Sequence, residues 1–170
     1  NLDAENTIID NKKDSTSITK NQKIQFLNDI SPDILIAEDV EINMLLIETL
    51  IKKLIPKANI IKAVNGEEAV KKFVNKKPNL VLMDIQMPVK NGYEATIEIR
   101  KFEQNKKRVP IIALTAIAFH HELQECLDAG MNGFLTKPIN IHLLEKVLIN
   151  NLSNLDKTVK NRTKNHQTDY

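Results

Sequence analysis

The feature that most constrains this chain is an alternation: short, nearly continuous apolar runs, each followed by a longer run that is apolar on one side only. The short runs are Ile34-Leu35-Ile36-Ala37, Ile60-Ile61-Lys62-Ala63-Val64, Leu80-Val81-Leu82-Met83, Pro110-Ile111-Ile112-Ala113-Leu114 and Gly133-Phe134-Leu135-Thr136. A strand with so few polar interruptions is buried on both faces. Between them, helical spacing predicts helices over 42–54, with Leu46, Ile47, Leu50, Ile51 and Leu54 in register, and over 67–75, with Ala69, Val70, Phe73 and Val74. Further helices are predicted over 93–103, 119–128 (closed by Gly130) and 141–152. Five strands alternating with five helices imply an α/β, doubly wound parallel sheet covered on both faces. Right-handed crossovers leave few topologies for it.

This domain is expected over residues 32–152. Residues 1–31 are rich in Asn, Asp, Lys, Ser and Thr and read as a polar linker with little capacity to bury surface. One weak helical patch, Ile24-Gln25-Phe26-Leu27, has no assigned partner. Residues 153–170 are polar and slightly basic and read as a disordered tail. The first residue is Asn1 rather than Met, so the chain is expected to be a piece of a longer protein, whose other parts could include a membrane anchor.

The core must be aliphatic, because aromatics are 4% of the chain, Trp is absent and apolar residues reach 42%. A formal net charge of +2 argues against nucleic-acid or membrane contact by this fragment. Cys126 is the sole cysteine, so an intrachain disulfide is impossible and a reducing, cytoplasmic setting fits. The longest apolar stretch, Val109 to Phe119, is too short to span a bilayer.

In sheets of this kind ligands sit beyond the carboxyl ends of the strands. The first strand runs into Glu38-Asp39 and the third into Asp84, so three carboxylates should converge there. Converging carboxylates repel, and a hard divalent cation such as Mg²⁺ relieves them. Each Asp taken singly also reads as a helix cap. The fourth strand ends in Thr115-Ala116, where the hydroxyl could meet a phosphoryl oxygen or simply cap the next helix. The fifth ends in Thr136-Lys137-Pro138; Lys137 suits a phosphate but equally a solvated surface, and the bond to Pro138 is a candidate cis peptide. Carboxylates can accept phosphoryl groups covalently.

With those residues in view, the chain resembles the receiver domains of two-component signalling. The matching segments are Ile34-Leu35-Ile36-Ala37-Glu38-Asp39, Leu82-Met83-Asp84-Ile85-Gln86-Met87-Pro88, Ile111-Ile112-Ala113-Leu114-Thr115-Ala116 and Ala129-Gly130-Met131-Asn132-Gly133-Phe134-Leu135-Thr136-Lys137-Pro138, in the family's order and spacing. The phrase Asn91-Gly92-Tyr93-Glu94-Ala95 and the position of Asn43 resemble most the receiver attached at the C-terminus of hybrid sensor histidine kinases. The resemblance implies a flavodoxin-like fold with strand order 2-1-3-4-5. It implies Asp84 as phosphoacceptor, and Mg²⁺ held by Asp39, Asp84, the backbone carbonyl of Gln86 and, mostly through water, Glu38. Thr115 and Lys137 would bind the phosphoryl oxygens, with Thr115 and Phe134 forming a switch. Implied partners are a histidine kinase dimerisation domain or a histidine phosphotransfer domain. The receiver would be monomeric and would promote its own phosphorylation and dephosphorylation without being an enzyme in the usual sense. A stand-alone single-domain regulator, or a non-phosphorylated interaction module, are the alternatives.

Other readings fit less well. Aspartate-nucleophile phosphatases usually carry a second Asp two residues on, where this chain has Gln86. A dinucleotide site needs a glycine-rich turn that Asp39-Val40-Glu41-Ile42 lacks. His120 and His121 are adjacent on a helix, about 100° apart and poorly placed to chelate. Cys126, Met83, Met87 and Met131 read as packing. Ile42 and Leu45 give the first helix more apolar positions than one sheet-facing stripe needs, which suggests a docking face.

Overall fold

A computed structural model of the protein describes residues 19–104, 107–116 and 119–155. The elements in order are α1 (Lys20–Asp29), β1 (Asp33–Ala37), α2 (Glu41–Leu54), β2 (Asn59–Ala63), α3 (Gly66–Lys76), β3 (Leu80–Asp84), α4 (Gly92–Glu103), β4 (Ile111–Thr115), α5 (His120–Ala129), β5 (Gly133–Thr136) and α6 (Ile141–Leu152). The five strands are parallel, in the order β2-β1-β3-β4-β5.

Residues alternate across the sheet with the strand period of two, and both faces are apolar. Ile34, Ile36, Leu80, Leu82, Ile112, Leu114 and Leu135 face α2 and α6. Leu35, Ala37, Val81, Met83, Ile111 and Ala113 face α3, α4 and α5, where Cys126, Met87 and Met131 are also buried. The helices start where polar side chains cap them. Asn65 accepts from the Glu68 N–H at 2.8 Å, Asn91 from Glu94 at 2.9 Å, and Asn140 from His142 at 2.8 Å.

The described residues form six helices, not the five that periodicity predicts. The additional one is α1, within the segment read as a linker. Thr19 and Gln22 make a reciprocal capping box at its start. Leu27 and Ile30 are buried and Phe26 packs beside them, in the same core cluster as α2 and α6. Its polar residues occupy the outward side, so a composition low in apolar residues conceals a docked helix. Residues 1–18 and 156–170, which complete the stretches read as linker and tail, lie outside the described residues.

In α2 the sheet-facing residues are Met44, Ile47 and Ile51. Leu46, which spacing alone places with that stripe, is instead exposed.

Candidate functional site

Parallel pairing brings the carboxyl ends of β1, β3, β4 and β5 to one edge, and backbone bonds extend the ladder past the strand ends. The Glu38 N–H donates to the Ala63 carbonyl at 3.0 Å, Ile85 to Leu114 at 3.2 Å, and Lys137 to Thr115 at 2.8 Å. These bonds set Glu38, Asp84 and Lys137 side by side. The Lys137–Pro138 peptide bond is cis.

Asp84 and Glu38 are both buried, Glu38 to 1% exposure. The Lys137 ammonium donates to Asp84 Oδ2 at 2.7 Å and lies 2.7 Å from Glu38 Oε2. The second contact is an ion pair without hydrogen-bond geometry, so Glu38 Oε2 remains a buried oxygen with no hydrogen bond. Glu38 Oε1 accepts from the Val40 N–H at 3.1 Å and from Asn43 Nδ2 at 3.2 Å. Asp84 Oδ1 accepts from the Gln86 N–H at 3.2 Å. Burial holds the Asp84 carboxyl above the usual carboxylate range; the Lys137 hydrogen bond opposes this and the charge of Glu38 reinforces it. Burial by itself would lower the Lys137 ammonium, but its hydrogen bond to Asp84 and its pairing with the Glu38 carboxylate outweigh that and hold it above its ordinary value.

Asp39 is exposed beside them, and one oxygen each from Glu38, Asp39 and Asp84 lie within 4.8 Å of one another. A cleft of about 310 Å³ opens over this group, lined by Asp39, Asp84, Gln86, Thr115 and Lys137 among others. The donor set is all hard oxygen, with more carboxylate charge than the one ammonium neutralises. Three observations therefore fit a small divalent cation: the oxygen donors, their spacing and the unsatisfied Glu38 Oε2.

None of the three cap readings holds: the helix that follows Asp84, α4, is capped by Asn91. The cap position of α2 is Val40, not Asp39, and that of α5 is Phe119, four residues past Thr115; neither makes a side-chain cap bond. Thr115 is instead buried against the cleft. Phe134 is half-buried and packs with the α3–α5 side of the core. His120 and His121 are exposed, and His121 stacks on Phe119 with ring centroids 6.1 Å apart.

Three features escaped sequence reasoning. Gly92 opens α4 against the back of the site: a Cβ there would lie 2.2 Å from the Asp84 carbonyl oxygen, and its N–H donates to Ile85 at 2.9 Å. Only a residue without a side chain lets the helix start so close. Val89, in the loop between β3 and α4, is 77% exposed and holds φ at 70°, a strained value for a β-branched residue. Glu122, on the first turn of α5, lines the cleft and has a buried Oε2 without a hydrogen bond. An asparagine-glycine pair is a general turn signal and could have pointed to Gly92, whereas nothing local marks Val89 or Glu122.

Residues 34–149 match the response regulator receiver domain family, and the chain belongs to it. Among curated relatives, hybrid signal transduction histidine kinase G of Dictyostelium discoideum is 44% identical over 115 residues, which are 68% of this chain and 3% of that protein. The peroxide stress-activated histidine kinase mak1 of Schizosaccharomyces pombe is 38% identical over 120 residues, 68% of this chain and 7% of that protein. The chain thus spans a small fraction of these relatives. Among solved structures, the receiver domain of a Pseudomonas aeruginosa sensor histidine kinase, with magnesium coordinated in its active site cleft, matches at a TM-score of 0.66 and 36% identity over 73% of this chain and 99% of that one. The receiver domain of Saccharomyces cerevisiae Ssk1, crystallised with the histidine phosphotransfer protein Ypd1, matches at 0.65 and 34% over 71% and 89%. This is a two-component receiver domain related to those of hybrid histidine kinases. No helix among the described residues is long and apolar enough to cross a membrane.

Proposed function

We propose that the domain accepts a phosphoryl group from a phosphohistidine onto Asp84 in a Mg²⁺-dependent reaction, as one step of a phosphorelay in a hybrid sensor histidine kinase. The observation that carries this reading is the placing of Asp84: a carboxylate at the tip of β3, open to a cleft, 2.7 Å from an ammonium and beside two further carboxylates. A carboxylate oxygen attacks phosphorus, and the phosphorus–nitrogen bond to the donor imidazole breaks. The electron pair leaves on that nitrogen. Lys137 neutralises charge on the transferred group, and the Thr115 hydroxyl, on the cleft wall, orients it.

Asp39, Asp84 and the Gln86 carbonyl would hold the metal, with Glu38 acting mostly through water. When bound, Mg²⁺ supplies positive charge to the phosphoryl oxygens. The magnesium in the related Pseudomonas aeruginosa receiver supports this assignment. After transfer, movement of Thr115 toward the phosphoryl group would let Phe134 repack, altering the face formed by α5, β5 and α6. Phe134 has no hydroxyl, so this switch rests on packing.

The partner is a helical domain that presents a phosphohistidine, either a kinase dimerisation domain or a phosphotransfer domain. Its docking site is the start of α2, where Ile42 is 69% and Leu45 55% exposed next to the cleft. The Ssk1–Ypd1 complex of a related receiver supports a partner of this kind.

The test is labelling with a small-molecule phosphodonor. The chain should take up phosphate only with Mg²⁺, and Asp84→Asn should abolish uptake while keeping the fold. Undiminished labelling of that variant would sink the assignment of Asp84. Absence of labelling in the unaltered chain would favour a non-phosphorylated interaction module.

A further inference from the structure

We infer that Asn43 is a positioning residue for the metal site: it aims Glu38, and so sets the affinity for Mg²⁺ without touching the ion. This rests on the metal site proposed above.

Glu38 is a long acid in a confined place. Its side chain has more rotatable bonds than Asp, and a flexible carboxylate can point an oxygen in several directions. Two donors remove that freedom at one oxygen. The Val40 N–H reaches Oε1 at 3.1 Å and Asn43 Nδ2 reaches it at 3.2 Å. With Oε1 occupied, the other oxygen is left to Lys137, at 2.7 Å, an ammonium it shares with Asp84. That oxygen is the buried one lacking a hydrogen bond. Of the two donors, the Val40 amide belongs to the backbone, so any residue except proline would supply it; the Asn43 amide is the part that depends on one side chain.

The placing of Asn43 has a second consequence. It lies on the first turn of α2, next to exposed Ile42 and two residues before exposed Leu45. One side of that turn faces solvent and the other holds the carboxylate. Outer partners that orient a ligand are typically worth about ten- to a hundred-fold in metal affinity.

The experiment is a double-mutant cycle on the full chain, with Mg²⁺ affinity measured by calorimetry in the absence of any phosphodonor. Asn43→Leu and Asn43→Ala should each weaken Mg²⁺ binding about ten-fold. Both should leave the melting temperature in chelator within a few degrees of the parent. In a Glu38→Asp background, where the shorter acid does not reach Asn43, the same changes should alter affinity by less than about two-fold. Equal losses in the two backgrounds would show that Asn43 does not act through Glu38. Unchanged affinity in the Glu38 background would also overturn the inference. Because binding is read without phosphoryl transfer, failure of Asp84 labelling would count against the proposed function and leave this result standing.

Discussion

The sheet carries a buried ion cluster at each end, and the two are built differently. At the amino-terminal edge, Arg100 uses each of its nitrogens. Nε donates to the Gly130 carbonyl at 2.9 Å, Nη1 to Glu103 at 2.6 Å and to the Val109 carbonyl at 2.9 Å, and Nη2 to Asn132 Oδ1 at 2.8 Å. The second Glu103 oxygen accepts from the Val109 N–H at 2.6 Å, and Asn132 Oδ1 also accepts from Ile111 at 2.9 Å. One cation meets one anion, and their hydrogen bonds tie α4 to the loops before β4 and β5. At the carboxyl edge one ammonium serves two buried carboxylates, a third stands beside them, and one buried oxygen lacks a hydrogen bond. Balanced charge with complete hydrogen bonding makes a brace. Surplus negative charge facing a cleft makes a site that gains from a cation.

Neutralising an acid should therefore have opposite consequences at the two ends. Glu103→Gln should destabilise the domain most, by about 3–5 kcal/mol, because it leaves the Arg100 charge buried without its partner. Chemical denaturation in chelator measures this. Asp84→Asn should leave stability unchanged or raise it under the same conditions. The sign follows from the carboxyl's raised pKa. The stability contributed by Asp84 is present below its unfolded pKa and lost as pH rises through the higher folded value, so its charged form opposes folding at neutral pH. Comparable losses from the two variants would erase the distinction between brace and site.

Gly92→Ala should cost about 1–3 kcal/mol, since the new methyl collides with the Asp84 carbonyl and must push α4 or β3 aside. It should also slow labelling of Asp84, a combination that Glu103→Gln does not show per folded molecule. Normal labelling at full stability would mean that α4 does not set the position of the acceptor.

The smallest effect on stability belongs to Leu45→Glu, within about 0.5 kcal/mol for an exposed position. That variant should slow transfer from a phosphohistidine protein while small-donor labelling continues. Transfer at the parent rate would remove α2 from the docking surface.

Much of this was legible in the sequence for local reasons. Runs such as Leu80-Val81-Leu82-Met83 are apolar at every position, so they report burial on both faces, and helical spacing marks the crossovers between them. Acids and Lys137 at strand ends report the edge where charged side chains gather, because parallel pairing leaves those ends nowhere else to go. The same reasoning fails for α1, whose burial rests on a few positions such as Leu27 and Ile30 among polar neighbours. It fails for Leu46 as well, because helical spacing allows several stripes and only the packed neighbours choose one.

The sequence by itself therefore determined the α/β order of elements, the parallel sheet and the residue types gathered at its carboxyl edge, since each is encoded in periodicity and in what ends a strand. Only the tertiary structure decided that α1 docks, that Arg100 meets Glu103, Val109, Gly130 and Asn132, and that Asn43 joins the Val40 amide in holding Glu38. Those contacts depend on which side chains come within about 3 Å of one another once the chain has closed, a distance to which no local pattern is sensitive.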